Sequence, residues 1–226
     1  MNMMSAAGPS QGANSSPTGG SERSERGGPR NTDITGIVLA GGMGRRMGGV
    51  DKGLVELAGT PMVAHVLARL APQVGPLLIN ANQNPDRYAL FGYPVVADAV
   101  GGFAGPLAGL HAGMSVATTP FVVTVPCDSP FLPTDLVARL SLALLRDNAQ
   151  LAVAKTLEQP HPVFALVRRE VLPHLASFLQ GGGRKIDAWY ATLRIVEVPF
   201  DDDEAAFRNI NTADELAAAA TPGAIP

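Results

Sequence analysis

The stretch Ile34-Thr35-Gly36-Ile37-Val38-Leu39-Ala40-Gly41-Gly42-Met43-Gly44-Arg45-Arg46-Met47-Gly48-Gly49-Val50-Asp51-Lys52 decides the fold. Residues 34–40 form a short, mostly apolar run that predicts a buried parallel strand. Glycine then takes five of the next dozen positions, and two arginines and a lysine join it. Glycines let backbone amides approach a phosphate closely, and the basic side chains add charge-assisted hydrogen bonds. The bland reading is a flexible turn with solvated basic residues. The chain holds only three lysines, Lys52, Lys155 and Lys185, and one of them lies in this loop, which favours a polyphosphate ligand. It is not the G-x-x-x-x-G-K-[ST] loop, because Lys52 stands between Asp51 and Gly53. Nor is it G-x-G-x-x-G, because Met47 takes the last glycine position.

Outward from this loop, apolar segments alternate between two periods. Thr60-Pro61 predicts a helix start, with Val63, Val66, Leu67 and Leu70 on its apolar face. Strands are predicted over 77–81, 94–97 and 121–125, the last stopped by Pro126. A glycine-containing helix is predicted over 105–118. Leu136, Leu140 and Leu144 mark a helix over 133–148, with Asp135 in its first turn. Strands over 151–155 and 163–167, helices over 171–179 and 186–193, and a strand over 195–198 follow. Gly181-Gly182-Gly183 closes the first of those helices, and Thr212-x-x-Glu215 is a capping box before an alanine-rich last one. Alternating strands and helices predict an α/β fold, a mainly parallel sheet covered by helices on both faces, with ligands at the carboxyl ends of its strands.

Composition bounds the rest. The 226 residues are 46% hydrophobic and 16% charged, enough apolar surface for a core. Residues 1–33 read as a disordered tail, since Gly, Ser and Pro fill 15 of those 33 positions. Residues 34–220 read as one domain and 221–226 as a frayed end. The tail lacks the apolar core of a secretory signal. A net charge of −3 offers nothing general to nucleic acid or to an anionic membrane. No apolar run reaches the ~18 residues of a membrane span. The single cysteine, Cys127, excludes an internal disulfide and a Cys-rich metal site. The expectation is a reducing, cytoplasmic setting.

Several polar residues fall where strands end. Asp128 follows an apolar strand between Pro126 and Pro130. It suits Mg2+ as a hard oxygen ligand, and equally suits capping of the next helix. Asn80 and Asp98 end the second and third strands and offer donors and acceptors to a base, or simply form turns. Gly181-Gly182-Gly183-Arg184-Lys185 either binds a phosphate or ends a helix, the second reading being the simpler. Cys127, His161 and His174 read as packing or surface residues, and Ser115 lacks the setting of a hydrolase nucleophile.

Taken together, Leu39-Ala40-Gly41-Gly42, Arg46-Met47-Gly48 and Asp51-Lys52 resemble the signature of nucleotidyltransferases with a Rossmann-like fold, roughly L-A-[GA]-G-x-x-x-R-M-G and then a lysine. The chain is most similar to the molybdenum cofactor guanylyltransferase family. The likeness runs from 34 to 220 and takes in Gly59-Thr60-Pro61, Asn80-Ala81-Asn82, Gly105-Pro106-Leu107-Ala108-Gly109, Pro126-Cys127-Asp128-Ser129-Pro130 and Asn209-Ile210-Asn211-Thr212.

The resemblance implies GMP transfer from GTP to the phosphate of molybdopterin, with or without molybdenum, and release of pyrophosphate. It implies Arg46, Lys52 and Asp128 as catalytic residues. Leu39, Ala40, Gly41, Gly42, Lys52, Asn80, Asp98 and Asp128 would bind nucleotide. Asp128 would hold Mg2+, with Mn2+ as a substitute, and Asn211 would help hold the metal or the second substrate. Arg184 and Lys185 are candidates for the pterin phosphate. Enzymes that insert molybdenum or mature molybdoenzymes are the implied partners. Guanylyl members resemble Leu-Ala-Gly-Gly and cytidylyl relatives Leu-Ala-Ala-Gly, so Gly41 would leave room for a purine. A cytidylyltransferase, a sugar-phosphate nucleotidyltransferase and a non-catalytic nucleotide carrier are the alternatives.

Overall fold

A computed structural model describes residues 29–41, 51–99 and 105–220. Seven strands form the main sheet: β1 (Ile34–Leu39), β4 (Leu77–Asn80), β5 (Val95–Val96), β6 (Phe121–Pro126), β7 (Leu151–Thr156), β8 (Gln159–Arg168) and β9 (Ile195–Pro199). Their order is β5-β4-β1-β6-β8-β7-β9. The pairs β4–β5, β1–β4, β1–β6 and β7–β9 are parallel, and β8 runs antiparallel to both β6 and β7. The expected α/β fold, a mainly parallel sheet, is therefore observed.

Alternation along β1 sends neighbouring side chains to opposite faces. Val38 packs with α1 (Met62–Leu70) and α4 (Leu136–Arg146), through Val66, Leu70, Leu136 and Leu140. Ile37 packs on the other face with α3 (Pro106–Val116), α5 (Leu172–Gln180) and α6 (Ile186–Tyr190), through Leu107, Met114, Leu175 and Trp189. The glycines that weaken α3 as an isolated helix let it lie close to the sheet. A Cβ on Gly109 would stand 2.3 Å from Asn80 Oδ1, and one on Gly113 would stand 2.1 Å from Ile37 Cδ1. Packing overrides propensity here.

Four expectations need correction. Thr60-Pro61 precedes the helix by one residue, with Pro61 as the N-cap of α1, and the pair is also strand β3, joined to β2 (Glu56–Leu57) in a separate hairpin. Ala58 and Gly59 both take positive φ, 51° and 78°, which turns the chain back before α1 starts at Met62. Pro126 does not stop β6 but is its last residue, opposite Leu39, and the next amide, Cys127 N, donates to Leu39 O at 3.1 Å. Asp135 lies outside α4, at its N-cap, and makes no side-chain capping bond. Strand β8 starts at Gln159, earlier than predicted, and carries Pro160 and Pro162 within it. The prolines are tolerated because pairing shifts there: Ala165 faces Val153, whereas His161 faces Ala154.

Among the elements that went unforeseen, besides the small hairpin, are the short α2 (Pro85–Ala89) and 3-10 turns over Asn31–Asp33, Lys52–Leu54 and Glu204–Phe207. The predicted capping box is present before α7 (Ala213–Ala219), with Glu215 N donating to Thr212 Oγ1 and Thr212 N to Glu215 Oε2. Among the described residues no helix is long and apolar enough to cross a membrane.

Candidate active site

Leu39, Asn80 and Pro126 lie level at the carboxyl edge, since Leu39 pairs with both neighbours. The segments leaving β1, β4 and β6 therefore emerge side by side, where the sheet order changes direction. Ala40 and Gly41 leave β1, Ala81 and Asn82 leave β4, and Cys127 and Asp128 leave β6. Ala40 N donates to Asn80 O at 2.8 Å, which holds the first two together. Gly42 and Arg46, with the rest of the glycine loop over 42–50, lie outside the described residues.

Lys52 comes back to this edge on a 3-10 turn, Lys52–Leu54. Its ammonium donates to Asp128 Oδ2 at 3.3 Å and also to Asn211 Oδ1. These partners are 76 and 159 residues away in sequence. The Lys52 and Asp128 side chains are only 21% and 12% exposed, so water screens this pair less than a surface one. Burial raises the Asp128 carboxyl above the usual aspartate range, and the Lys52 charge partly offsets that. Two further bonds tie the 209–211 segment down: Ile210 N donates to Asp128 O at 2.9 Å, and Ser129 Oγ to Asn209 Oδ1 at 2.7 Å. Ile210 is buried with Leu57 and Met62, which anchors the segment beneath.

The residue before the lysine is itself held. Asp51 accepts from Tyr88 Oη at 2.5 Å on one oxygen and from Asn84 Nδ2 at 3.0 Å on the other. Tyr88 lies on α2 and is fully buried, and burial raises its phenol far above the ordinary range, so it stays a donor. Gly53 packs against Tyr88 Oη and Cys127. Sequence reasoning missed Tyr88 and Asn84, because nothing in the local pattern joined the α2 segment to the Asp-Lys pair. Burial and the nearby carboxylates of Asp128 and Asp51 likewise push the Cys127 thiol up, which suits the packing role expected of it.

A second cluster stands at the ends of β4 and β5. Asn80 Nδ2 donates to Val96 O at 3.1 Å and to Asp98 Oδ1 at 2.8 Å. Asn82 Nδ2 donates to Asp98 Oδ2 at 2.8 Å, and Asp98 N donates back to Asn82 Oδ1 at 2.8 Å. Asn80 and Asp98 are thus together, as their positions at strand ends predict, and Asn82 completes the group. Ala40 is buried and Leu39 half-buried beneath it.

Arg184 turns back onto its own helix end, donating from Nη1 to Leu179 O at 2.8 Å and Gly183 O at 2.7 Å. Lys185 is exposed at the N-cap of α6. The helix-ending reading of this segment fits that geometry. His174 Nδ1 accepts from Trp189 Nε1 at 3.0 Å, His161 stacks on Phe207 with ring centroids 4.7 Å apart, and Ser115 Oγ donates to His111 O. The two histidines make contacts with aromatic rings, and Ser115 bonds back to its own helix.

What the edge offers is one cluster with a buried carboxylate and a lysine, and beside it a doubly braced carboxylate. A family model described as the MobA-like NTP transferase domain matches residues 36–195. A curated molybdenum cofactor guanylyltransferase from Cupriavidus taiwanensis is 56% identical over 191 residues, covering 82% of this chain and 96% of that one. One of the same name from Cupriavidus necator is 57% identical over 189 residues, covering 81% and 94%. Among solved structures, a molybdopterin-guanine dinucleotide biosynthesis protein A from Archaeoglobus fulgidus superposes with a TM-score of 0.69 at 25% identity, covering 82% of this chain and 96% of that one. With that sheet edge and these relatives, the chain belongs to the molybdenum cofactor guanylyltransferase family, on a MobA-like nucleotidyltransferase domain.

Proposed function

We propose that the protein transfers GMP from GTP to the terminal phosphate of molybdopterin. A phosphate oxygen of the pterin bonds to the α-phosphorus, the bond from that phosphorus to the β-bridging oxygen breaks, and pyrophosphate leaves with the electron pair. The observation that carries this reading is the Lys52 ammonium, held between Asp128 and Asn211 at the strand edge beside the start of the glycine loop. A fixed cation there meets phosphate charge without reorganising, which is the largest contribution a site can make to such a transfer. The nucleophile is already an anion, so no protein base is required, and positioning does the remaining work. The backbone beside Leu39, Ala40, Gly41 and Gly42, with Arg46, would face the phosphates, and Asn80 and Asp98 the base.

The donor set fits a hard divalent cation. Asp128 and Asn211 present oxygens, and both already converge on a positive charge. No group of three or more His, Cys, Asp or Glu side chains gathers among the described residues, so substrate oxygens and water would fill most of the coordination shell. Asp128, with Asn211 beside it, would hold Mg2+ or Mn2+. The metal when bound supplies charge neutralisation on the phosphate oxygens. A cytoplasmic setting, and hand-over to enzymes that insert molybdenum or mature molybdoenzymes, belong to the same proposal.

The test is pyrophosphate release with molybdopterin and each of GTP, CTP, ATP and UTP, with and without Mg2+, and identification of the dinucleotide by mass. Release that requires GTP, the pterin and the metal, and falls at least ~100-fold in Asp128→Ala, is the expected result. Preference for CTP would overturn the guanylyl assignment. GTP binding without release would turn the site into a carrier.

A further inference from the structure

We infer that Asn82 is a positioning residue for base selectivity: it fixes the plane of Asp98, and Gly41 acts on selectivity through it. This deepens the guanylyl reading and rests on it.

Asp98 sits just beyond a two-residue strand on a half-exposed segment, where little packing fixes its side chain. Two asparagines fix it instead, one on each carboxylate oxygen, both at 2.8 Å. Asn80 is buried and oriented by Val96 O. Asn82 is exposed, and its orientation is set by Asp98 itself: a carboxylate oxygen only accepts and a backbone amide only donates, so its amide fits one way round. Two anchored oxygens define a plane, and each keeps a lone pair for a ligand. Guanine presents two parallel donors, N1–H and the N2 amine, that match such a pair. Cytosine and adenine place a ring-nitrogen acceptor next to their amine, which faces the second oxygen unfavourably. Hypoxanthine keeps N1–H but lacks the amine. Discrimination among these bases requires a carboxylate that cannot rotate to suit each of them.

Gly41 enters this arrangement directly. A Cβ there would stand 2.9 Å from Asn82 Nδ2 and 3.4 Å from Asn80 Oδ1. The first distance forces movement, and the group that gives way is the far end of an exposed asparagine. A methyl group at position 41 is thus felt first by Asn82, and through it by Asp98.

The experiment is kcat/KM for GTP, ITP and CTP with the wild type, Asn82→Ala, Gly41→Ala and the double variant, with thermal melts as a check of folding. The wild type is expected to prefer GTP. Asn82→Ala should lower the GTP/ITP and GTP/CTP ratios by about tenfold, the scale of one hydrogen bond lost in the transition state. Gly41→Ala should produce a similar loss alone and less than about a twofold further loss in the Asn82→Ala background, since interacting sites are not additive. Asn82→Asp, which sets a second carboxylate against Asp98, should lower the ratios more than Ala does. Equal loss for all three nucleotides, or a full Gly41→Ala effect without Asn82, overturns the inference and leaves the guanylyl reading standing. A wild type with no preference for GTP overturns both.

Discussion

Tyr88 reaches from a five-residue helix to Asp51 across 2.5 Å, and the residue it holds is the one that precedes Lys52. Asn84, in the left-handed region with φ 48°, brings its amide to the other Asp51 oxygen. The lysine is therefore aimed by a bond it does not itself make. Tyr88→Phe is expected to lower kcat about tenfold, and stability by about 1–3 kcal/mol, because a carboxylate loses its buried donor. Asn84→Ala, which leaves the shorter bond in place, should have the smaller effect. Steady-state kinetics and urea unfolding measure both.

Gly109 and Gly113 separate two consequences of close helix packing. An added Cβ at 109 meets Asn80 Oδ1 and Leu39 Cδ2, at 2.3 and 2.8 Å, whereas at 113 it meets only Ile37. Both alanine variants should lose about 1–3 kcal/mol of stability through overpacking. Only Gly109→Ala should also raise KM for GTP, because Asn80 must move. Unfolding curves and nucleotide titrations distinguish the two.

The Cys127 thiol should be inert in the folded protein. It is buried, and burial and its acidic neighbours disfavour the thiolate, which is the reactive form. A thiol-exchange reagent is expected to leave the native protein unmodified and to titrate one thiol per chain in denaturant. Rapid modification of the native protein would contradict this.

His161 makes stability depend on pH. Burial holds its imidazole below the ordinary histidine range. The folded state thus favours the neutral ring, and the stability this contributes is present above the unfolded pKa of about 6.5 and is lost as pH falls through the lowered folded value. Melting temperature should drop as pH falls below that range. In His161→Gln, which keeps a partner for Thr156 Oγ1 but carries no titrating ring, the slope should flatten even where the melt itself is lower.

The site was legible wherever chemistry and strand ends coincide in sequence. Gly41 and Asp128 follow apolar runs and Asn80 and Asp98 end two more, whereas Lys52 stands out as one of three lysines, set at the end of the glycine loop. Asn211 is harder to read, because its bond to Lys52 spans 159 residues and an asparagine before a helix usually caps or turns. Tyr88 could not be read at all, since its helix is too short for periodicity to show. Arg184 reads identically in sequence whether its partner is a phosphate or a helix carbonyl; in the fold its guanidinium donates to Leu179 O. In the fold, Thr60-Pro61 marked the start of α1 to within one residue, but not that both residues also pair as strand β3. The prolines of β8 argued against a strand that a shift in pairing made acceptable.

The strand order also has a temporal meaning. Strands β5, β4, β1 and β6 are adjacent in the sheet and all lie between positions 34 and 126, so a growing chain can pair them before its last 100 residues exist. Domains generally acquire structure from the N-terminal side as the ribosome adds roughly 5–20 residues per second. Asn211, the other oxygen on Lys52, arrives after every strand of that sheet has been made. A nascent chain thus has its sheet edge well before its lysine is fully braced, and the last piece of the Lys52–Asp128–Asn211 cluster is supplied only as translation nears α7.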